Sequence, residues 1–239
     1  MQKLWTKNLL QRLASTTWKI KVFKIIESSS AGNCFLFGRL MIDCGLSYTK
    51  TKSYCDGVDA ILLTHIHGDH FNKDCIRKIF VNHEHITFVC GEWLREKLLK
   101  IGVDESRILV VEFGKVYEIG NYKISPVMAY HDVENCGYRI MFEDYKHFHI
   151  TDTVSLDGIS AVGYDSASIE CNHHYETALN IIEEAKENDE FSHLKGAINS
   201  HLSVDKTIRF CKENGIKKLF PVHIGNSTRK EVIQTLKEW

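Results

Sequence analysis

Four side chains that commonly bind metals lie within residues 65–70, which read His-Ile-His-Gly-Asp-His. The apolar run before them, at residues 58–64, is typical of a buried strand, and residues 72–81 after them are typical of a helix. Ligands belong on rigid elements or at their exits, because a mobile ligand loses entropy each time a metal binds. Histidine and carboxylate ligands suit Zn²⁺, and also Mn²⁺ or Fe²⁺. The chain is therefore expected to adopt a fold in which a strand ends in a metal-binding loop.

The spacing inside this segment divides its ligands into two pairs. His65 and His67 are two residues apart, so in an extended segment they point to the same side. Gly68 lets the backbone bend before Asp69 and His70. One metal could take the first pair and a second metal the other, and each then needs further ligands from distant parts of the sequence.

Length and charge limit the classes of function. The 239 residues suffice for one large core, and no linker, repeat or low-complexity stretch marks a boundary. We therefore expect a single domain over residues 19–239, preceded by a leader at residues 1–18. A net charge of -1 with mixed signs gives no basic surface for gripping long nucleic acid. It leaves room for a small phosphate substrate, since bound metals would supply positive charge.

Cysteine usage bears on the compartment. The eight cysteines form no Cys-x-x-Cys pair, and most adjoin apolar residues, which favours reduced, buried thiols over a disulfide framework. No apolar run is long enough to span a membrane. The sequence is thus expected to belong to a cytoplasmic protein.

Strand-like and helix-like segments are interleaved without a strict βαβ alternation, which predicts an α+β fold of two mixed sheets with helices outside. Residue 203 is a predicted helix cap, Gly215 a helix stop, and Thr228 the start of a capping box with Glu231. The predicted strands are residues 20–26, 35–42, 58–64, 86–90, 107–111, 168–171 and 219–222, with an antiparallel meander over 116–150. The predicted helices are residues 73–81, 92–100, 176–188, 204–214 and one beginning near 228.

The ordered pattern His65-x-His67-x-Asp69-His70 resembles the signature of the metallo-β-lactamase superfamily. This resemblance implies a four-layer αβ/βα sandwich with a two-metal site at one edge of its sheets. It also implies that Asp43 supports the metal loop, that Asp152 bridges the metals, and that each metal has one further histidine. Those histidines are His131 for the first metal and His223 for the second.

Three further segments resemble the single-strand exonuclease-like branch of that superfamily, which is related to cyclic phosphodiesterases, phage-type cyclic-nucleotide phosphodiesterases included, and to endonucleases that trim tRNA 3′ ends. The segments are residues 28–34, 169–173 and 200–203. By this resemblance His201 contacts the phosphate or protonates the leaving oxygen; alternatively, it merely flanks the helix capped by Ser203. The branch also implies a homodimer. Six histidines match no motif and are expected at the surface or in a satisfied core: His83, His85, His147, His149, His174 and His193.

The function these features favour is a two-metal phosphodiesterase, with Zn²⁺ as the first choice of metal and Mn²⁺ as the second. Its substrate would be a cyclic nucleotide or a short single-stranded nucleic acid, attacked by metal-bound hydroxide, with Asp69 orienting the nucleophile. The same centre could instead hydrolyse a thioester, lactone or lactam, because hydroxide attacks a carbonyl equally well. An oxygen-reducing di-iron protein usually has Glu in place of His67, and a non-catalytic module would be expected to have lost ligands.

Overall fold

The computed structural model describes residues 23–239, and the first half of this stretch is built around a six-stranded sheet. The first three strands pair antiparallel, and the third to the sixth run parallel. Every residue of the second, third and fourth strands is buried, as expected for strands covered on both faces. In sheet order the strands are β1 (Phe23–Ser29), β2 (Gly32–Phe37), β3 (Leu40–Ile42), β4 (Ala60–Leu62), β5 (Thr87–Cys90) and β6 (Ile108–Val110).

A second six-stranded sheet contains the predicted meander. Its first four strands pair antiparallel, and its last three run parallel to one another. The strands, in the order β12-β11-β10-β9-β8-β7, are β7 (Tyr117–Ile119), β8 (Tyr122–Ala129), β9 (Asn135–Phe142), β10 (Tyr145–Ile150), β11 (Ser166–Glu170) and β12 (Leu219–Val222).

The described residues form seven α-helices, which cover the outer faces of the two sheets. The helices are α1 (Tyr48–Cys55), α2 (Lys73–Asn82), α3 (Glu92–Lys100), α4 (Tyr175–Glu187), α5 (Leu194–Ser200), α6 (Val204–Asn214) and α7 (Arg229–Glu238). Apolar residues of α1, α2 and α3 pack on the first sheet, and those of α6 pack on the second. The inner faces of the sheets meet in a shared core that includes Phe35, Leu62 and Tyr138. Two mixed sheets packed face to face with helices outside are the four layers of the predicted α+β, αβ/βα sandwich.

Helix α6 begins and ends where its local sequence predicts. The Ser203 hydroxyl accepts a hydrogen bond from the Lys206 backbone N–H at 3.3 Å. Gly215 ends the helix with φ of 68°, a left-handed conformation that costs glycine little.

Other local predictions were wrong. Residues 35–42 form two strands rather than one, because the chain turns at Gly38, whose φ is 57°. The capping box at Thr228 does not form: the Thr228 hydroxyl instead accepts from the His174 N–H at 2.9 Å. Helices α1 and α5 were not predicted; α1 is rich in Thr, Lys and Ser, and α5 contains Gly196.

All eight cysteines are buried and unpaired, which confirms the prediction of buried thiols. Among residues 23–239, none of the helices combines the length and apolar character needed to cross a membrane. The predicted leader at residues 1–18 and the first three residues of the strand predicted at 20–26 lie outside the described residues.

Candidate metal centre

The site lies where several strands end at one edge of the sandwich. Strands β8, β10, β11 and β12 run in the same direction, so their carboxyl ends share an edge. His131 and Asp152 each follow the end of their strand by two residues, and His223 follows β12 directly. In the first sheet Asp43 follows β3, and the loop of residues 65–70 follows β4. The sheet order thus brings together side chains that are far apart in sequence.

The structure gathers all seven predicted metal ligands. One group with ligand atoms within 4.8 Å of one another consists of His65, His67 and His131, and another consists of Asp69, His70 and His223. Asp152 lies between the groups: its carboxylate is 3.1 Å from Nε2 of His70, 3.6 Å from Nε2 of His223 and 3.9 Å from Nε2 of His131. This arrangement fits the two ligand groups and the bridging position that the resemblance implies.

At the edge of the first sheet, neighbouring side chains fix the orientation of two proposed ligand histidines. Nδ1 of His70 lies 2.6 Å from a carboxylate oxygen of the fully buried Asp43. The Thr64 hydroxyl donates to the same carboxylate and lies 2.9 Å from Nδ1 of His65. Because the Thr64 hydroxyl proton is directed to Asp43, the hydroxyl oxygen can only accept from His65. Nδ1 of His65 therefore carries the proton and donates to Oγ1 of Thr64. Both rings are therefore held with Nε2 directed to the centre, the usual support of a metal-binding histidine.

Two more histidines are held in the same way by the second sheet and its helices. Nδ1 of His131 lies 3.1 Å from the carbonyl oxygen of Ser200, the last residue of α5. Nδ1 of His223 lies 3.1 Å from the Glu170 carboxylate. Helix α5, which the sequence did not predict, thus orients a ligand of the first group.

Divalent metals fit this set of residues. Nε2 of His65 and Nε2 of His223 are buried and have no hydrogen-bond partner. Buried polar atoms almost always have one, so these two nitrogens lack the partner that a cation would supply. Neutral imidazoles and carboxylates are the ligands that Zn²⁺ and Mn²⁺ accept.

The electrostatics of the cluster favour positive charge at its centre. Burial lowers the pKa of His65, and the neighbouring His70 adds to this effect, so its lone pair stays available. Burial opposes ionisation of Asp152, but His70 and His223 outweigh it and hold its pKa well below the usual value. Burial also opposes protonation of His223, yet Asp152, Asp69 and Glu170 raise its pKa to about 10. The carboxylates thus attract cations, whether protons or metal ions.

Glu170 connects several parts of the site, although its segment at residues 169–173 predicted no individual role for it. Its side chain is fully buried at the end of β11. One carboxylate oxygen lies 2.8 Å from Nδ1 of His201, 3.1 Å from Nδ1 of His223 and 3.1 Å from the N–H of Asp152. The other accepts from the N–H of Leu202 at 2.6 Å. The buried carboxylate thereby positions two proposed ligands and His201.

His201 does more than flank a helix. Ser203 caps α6 with its own side chain, while the His201 ring turns toward the centre, 3.6 Å from the Asp152 carboxylate and 5.2 Å from the His131 ring. Burial opposes its protonation, but Glu170 and then Asp152 raise its pKa. The side chain is 18% exposed, so a bound substrate can reach it.

The segment at residues 28–34 also touches the centre. The Ser28 hydroxyl accepts from the His223 N–H at 2.7 Å. The amide of the buried Asn33 lies 3.1 Å from the Asp69 carboxylate and 2.9 Å from Nε2 of His70. All three segments that carry the branch resemblance therefore reach the proposed second metal group from outside it. They are this one, the segment containing Glu170, and the segment containing His201, whose ring stacks on that of His223 with centroids 5.1 Å apart.

The six histidines without a matching motif belong to none of the candidate metal groups in the described part of the chain. His147 and His149 are fully buried and bond to Ser166 and Ser168, although Nε2 of His149 has no partner. His174 caps α4 by accepting from the Thr177 N–H.

Comparisons with known proteins agree with this fold. A family model described as a beta-lactamase superfamily domain matches residues 38–224. The exodeoxyribonuclease WalJ of Streptococcus pneumoniae is 31% identical over 175 residues, which cover 64% of this chain and 63% of that protein. The chain thus spans 63% of the length of this curated relative.

Solved structures show the same architecture at low identity. The metallo-beta-lactamase fold protein YhfI of Bacillus subtilis superposes with a TM-score of 0.70 at 17% identity, over 90% of this chain and 91% of that one. A diphosphatase of the PhnP family gives 0.64 at 17% identity, over 91% of both chains. The short form of human tRNase Z gives 0.63 at 14% identity, over 85% of this chain and 92% of that one. At such identities these likenesses show the fold alone.

Proposed function

The chain belongs to the beta-lactamase superfamily, in its metallo-β-lactamase fold, and from this premise we propose that it is a metal-dependent phosphodiesterase. Its substrate in this proposal is a cyclic nucleotide or a short single-stranded nucleic acid. The observation that carries the proposal is the position of His201. This histidine is not one of the seven proposed metal ligands, and Glu170 holds its ring beside them through a contact of 2.8 Å to Nδ1. The similarity to an exodeoxyribonuclease supports the same class of bond.

The proposed centre takes two divalent ions, with Zn²⁺ as the first choice and Mn²⁺ as the second. His65, His67 and His131 would hold one ion, Asp69, His70 and His223 the other, and Asp152 would contribute to both. Metals bound there would supply an activated water and positive charge for the phosphate oxygens.

The chain's own residues would complete the chemistry. Asp69 is held by the Asn33 amide with its carboxylate toward the centre, where it can orient a nucleophilic water. His201 donates from Nδ1 to Glu170, which fixes the ring and leaves Nε2 for the substrate. From there it would stabilise the negative charge on the phosphoryl oxygens or protonate the departing oxygen. Asp69 and His201 are thus the proposed catalytic residues.

The size of the substrate is part of the proposal. A net charge of -1 provides little attraction for long nucleic acid, which favours a small phosphodiester or a short strand end. We also propose a homodimer, on the resemblance alone, and gel filtration with light scattering would test it.

Hydrolysis assays test the function directly. Protein loaded with Zn²⁺ or Mn²⁺ should release p-nitrophenol from bis(p-nitrophenyl) phosphate, and products from a panel of cyclic mononucleotides, cyclic dinucleotides, single-stranded DNA and RNA. Asp69→Ala should lower the rate at least about 100-fold, in the range for removing a group that acts in proton transfer. Asp157→Ala, at an exposed carboxylate, should not. Equal turnover by wild-type protein and Asp69→Ala would refute the proposal.

A further inference from the structure

A cavity of about 620 Å³ opens beside the metal centre, and His131 lines both. Its volume falls within the range of pockets that bind small organic ligands. The other lining residues that matter here are Trp93, Phe113, Met128, Tyr130, Asp132 and Glu134.

The walls of this cavity are aromatic and accessible. The rings of Trp93 and Phe113 stack with centroids 5.8 Å apart and planes 23° apart. Phe113 is 40% exposed, Met128 49% and Tyr130 46%. Exposed aromatic side chains in one cavity offer flat faces to a planar ring, and any of the nucleobases can stack on such a face.

The strand geometry fixes the cavity close to the proposed reaction. Met128 lies in β8, and Tyr130 directly follows that strand. The two are two residues apart in extended chain, so they point to the same side, away from the buried Ala129 between them. Tyr130 immediately precedes His131, a proposed ligand of the first metal. A group attached to the phosphodiester through a sugar would therefore meet this wall.

The charges in the cavity select against a second phosphate. Asp132 and Glu134 line it, and among the described residues no lysine or arginine does. Their carboxylates would repel a flanking phosphate, whereas they can accept hydrogen bonds from the amino groups of a base. Asp132 already points toward the centre, with its carboxylate 3.1 Å from Nε2 of His131.

We propose that this cavity binds the nucleobase of the substrate while the phosphodiester lies at the metal centre. The inference rests on the proposed function and specifies which part of the substrate is recognised away from the metals. Phe113 and Tyr130 are the residues that contact the base, and their removal should weaken recognition of nucleotides without impairing attack on the phosphodiester itself.

The test compares a phosphodiester that carries a base with one that does not. For Phe113→Ala and Tyr130→Ala, kcat/KM for the p-nitrophenyl ester of thymidine 5′-monophosphate should fall about 5- to 100-fold, as expected for losing a base-stacking contact. Their kcat/KM for methyl p-nitrophenyl phosphate should stay within about twofold of wild type, on the same stacking argument. The matched control is Phe191→Ala, an aromatic that is 81% exposed and does not line the cavity; it should change neither value.

Two results overturn the inference: an equal loss on both substrates, which indicates a structural effect, or no loss on either.

Calorimetry with metal-loaded protein gives a second readout that needs no turnover. Adenosine 5′-monophosphate should bind more tightly than ribose 5-phosphate to wild-type protein, and Tyr130→Ala should reduce the difference. If the base adds no affinity while methyl p-nitrophenyl phosphate is still hydrolysed, the base site is refuted and the phosphodiesterase proposal stands. If base-dependent binding occurs without hydrolysis of any diester, the proposed function fails instead.

Discussion

Replacing Glu170 by glutamine keeps the size of this buried side chain but removes its charge and turns one of its oxygens into an NH₂ group. That oxygen currently accepts hydrogen bonds, so the new NH₂ group must face donors whichever way the amide is oriented. One orientation sets it against the backbone N–H groups of Thr153 and Leu202. The other sets it against His201, His223 and the N–H of Asp152.

Both orientations have a cost that follows from the contacts. Two buried N–H groups left without an acceptor destabilise the fold by about 2–6 kcal/mol, at about 1–3 kcal/mol each. In the other orientation His223 could accept from the amide only by moving its proton from Nδ1 to Nε2. Nε2 is the atom proposed to bind metal, so metal affinity should fall about 10- to 100-fold, as it does when the partner of a ligand histidine is lost.

Two measurements check this prediction. Competition with a chromophoric chelator gives the Zn²⁺ affinity, and urea unfolding in excess EDTA gives the stability of the metal-free fold. Glu183→Gln, at an exposed carboxylate of α4, serves as the matched control and should match wild type in both. If Glu170→Gln binds Zn²⁺ like wild type and unfolds at the same urea concentration, Glu170 does not position the ligands.

Further predictions concern the support of the ligands, the core and the metals. Asp43→Asn should weaken Zn²⁺ binding at least about 10-fold, because it removes the charged partner 2.6 Å from Nδ1 of His70; chelator competition measures this. Burial lowers the pKa of His149 to about 3 from the ordinary 6.5. Below about pH 6 the unfolded chain therefore takes up a proton that the folded chain refuses, and stability should fall by about 1.4 kcal/mol per pH unit. Urea unfolding in EDTA at pH 7 and pH 5 should show this, with a smaller loss in His149→Gln; an equal loss in both would contradict it. Zn²⁺ at about 100 times its dissociation constant should add about 2.7 kcal/mol to the free energy of unfolding. Thermal melts with and without EDTA measure this effect, and identical melting temperatures would show that the centre binds no metal.

Much of the fold could be predicted because its signals are local. The cap and stop of α6 depend on one residue each, and the loop at residues 65–70 carries four of the seven proposed ligands in one segment. Where contacts between distant residues decide the local structure, the local sequence predicts it poorly. Thr228 has a suitable pattern for a capping box, yet its hydroxyl bonds to the N–H of His174, 54 residues away.

Glu170 shows why part of the site escaped prediction. In the sequence, Glu170 is a single acidic residue in a short predicted strand. In the structure the whole strand is buried, which is unusual for a carboxylate, because carboxylates are rarely buried without partners. Its partners come from positions 17 to 53 residues away, and three of them are backbone N–H groups, which any residue type except proline could supply. No pattern along the chain can indicate a side chain whose role is defined by backbone donors brought in by folding.

The backbone marks the same site independently of the side chains. Asp43, Asp152 and His223 have φ of 57°, 53° and 51°, a left-handed region that non-glycine residues avoid at a cost of about 1–3 kcal/mol each. Each follows the carboxyl end of a strand, and each backbone N–H is held in place: that of Asp43 by Leu62, that of Asp152 by Glu170, and that of His223 by Ser28. Glycine would relieve the backbone at all three positions, but it would remove the side chains from the centre. The backbone strain therefore lies at two proposed ligands, Asp152 and His223, and at Asp43, whose carboxylate orients a third. The loss of folding free energy at these positions serves to hold side chains at the metal centre, since the turns alone would favour glycine.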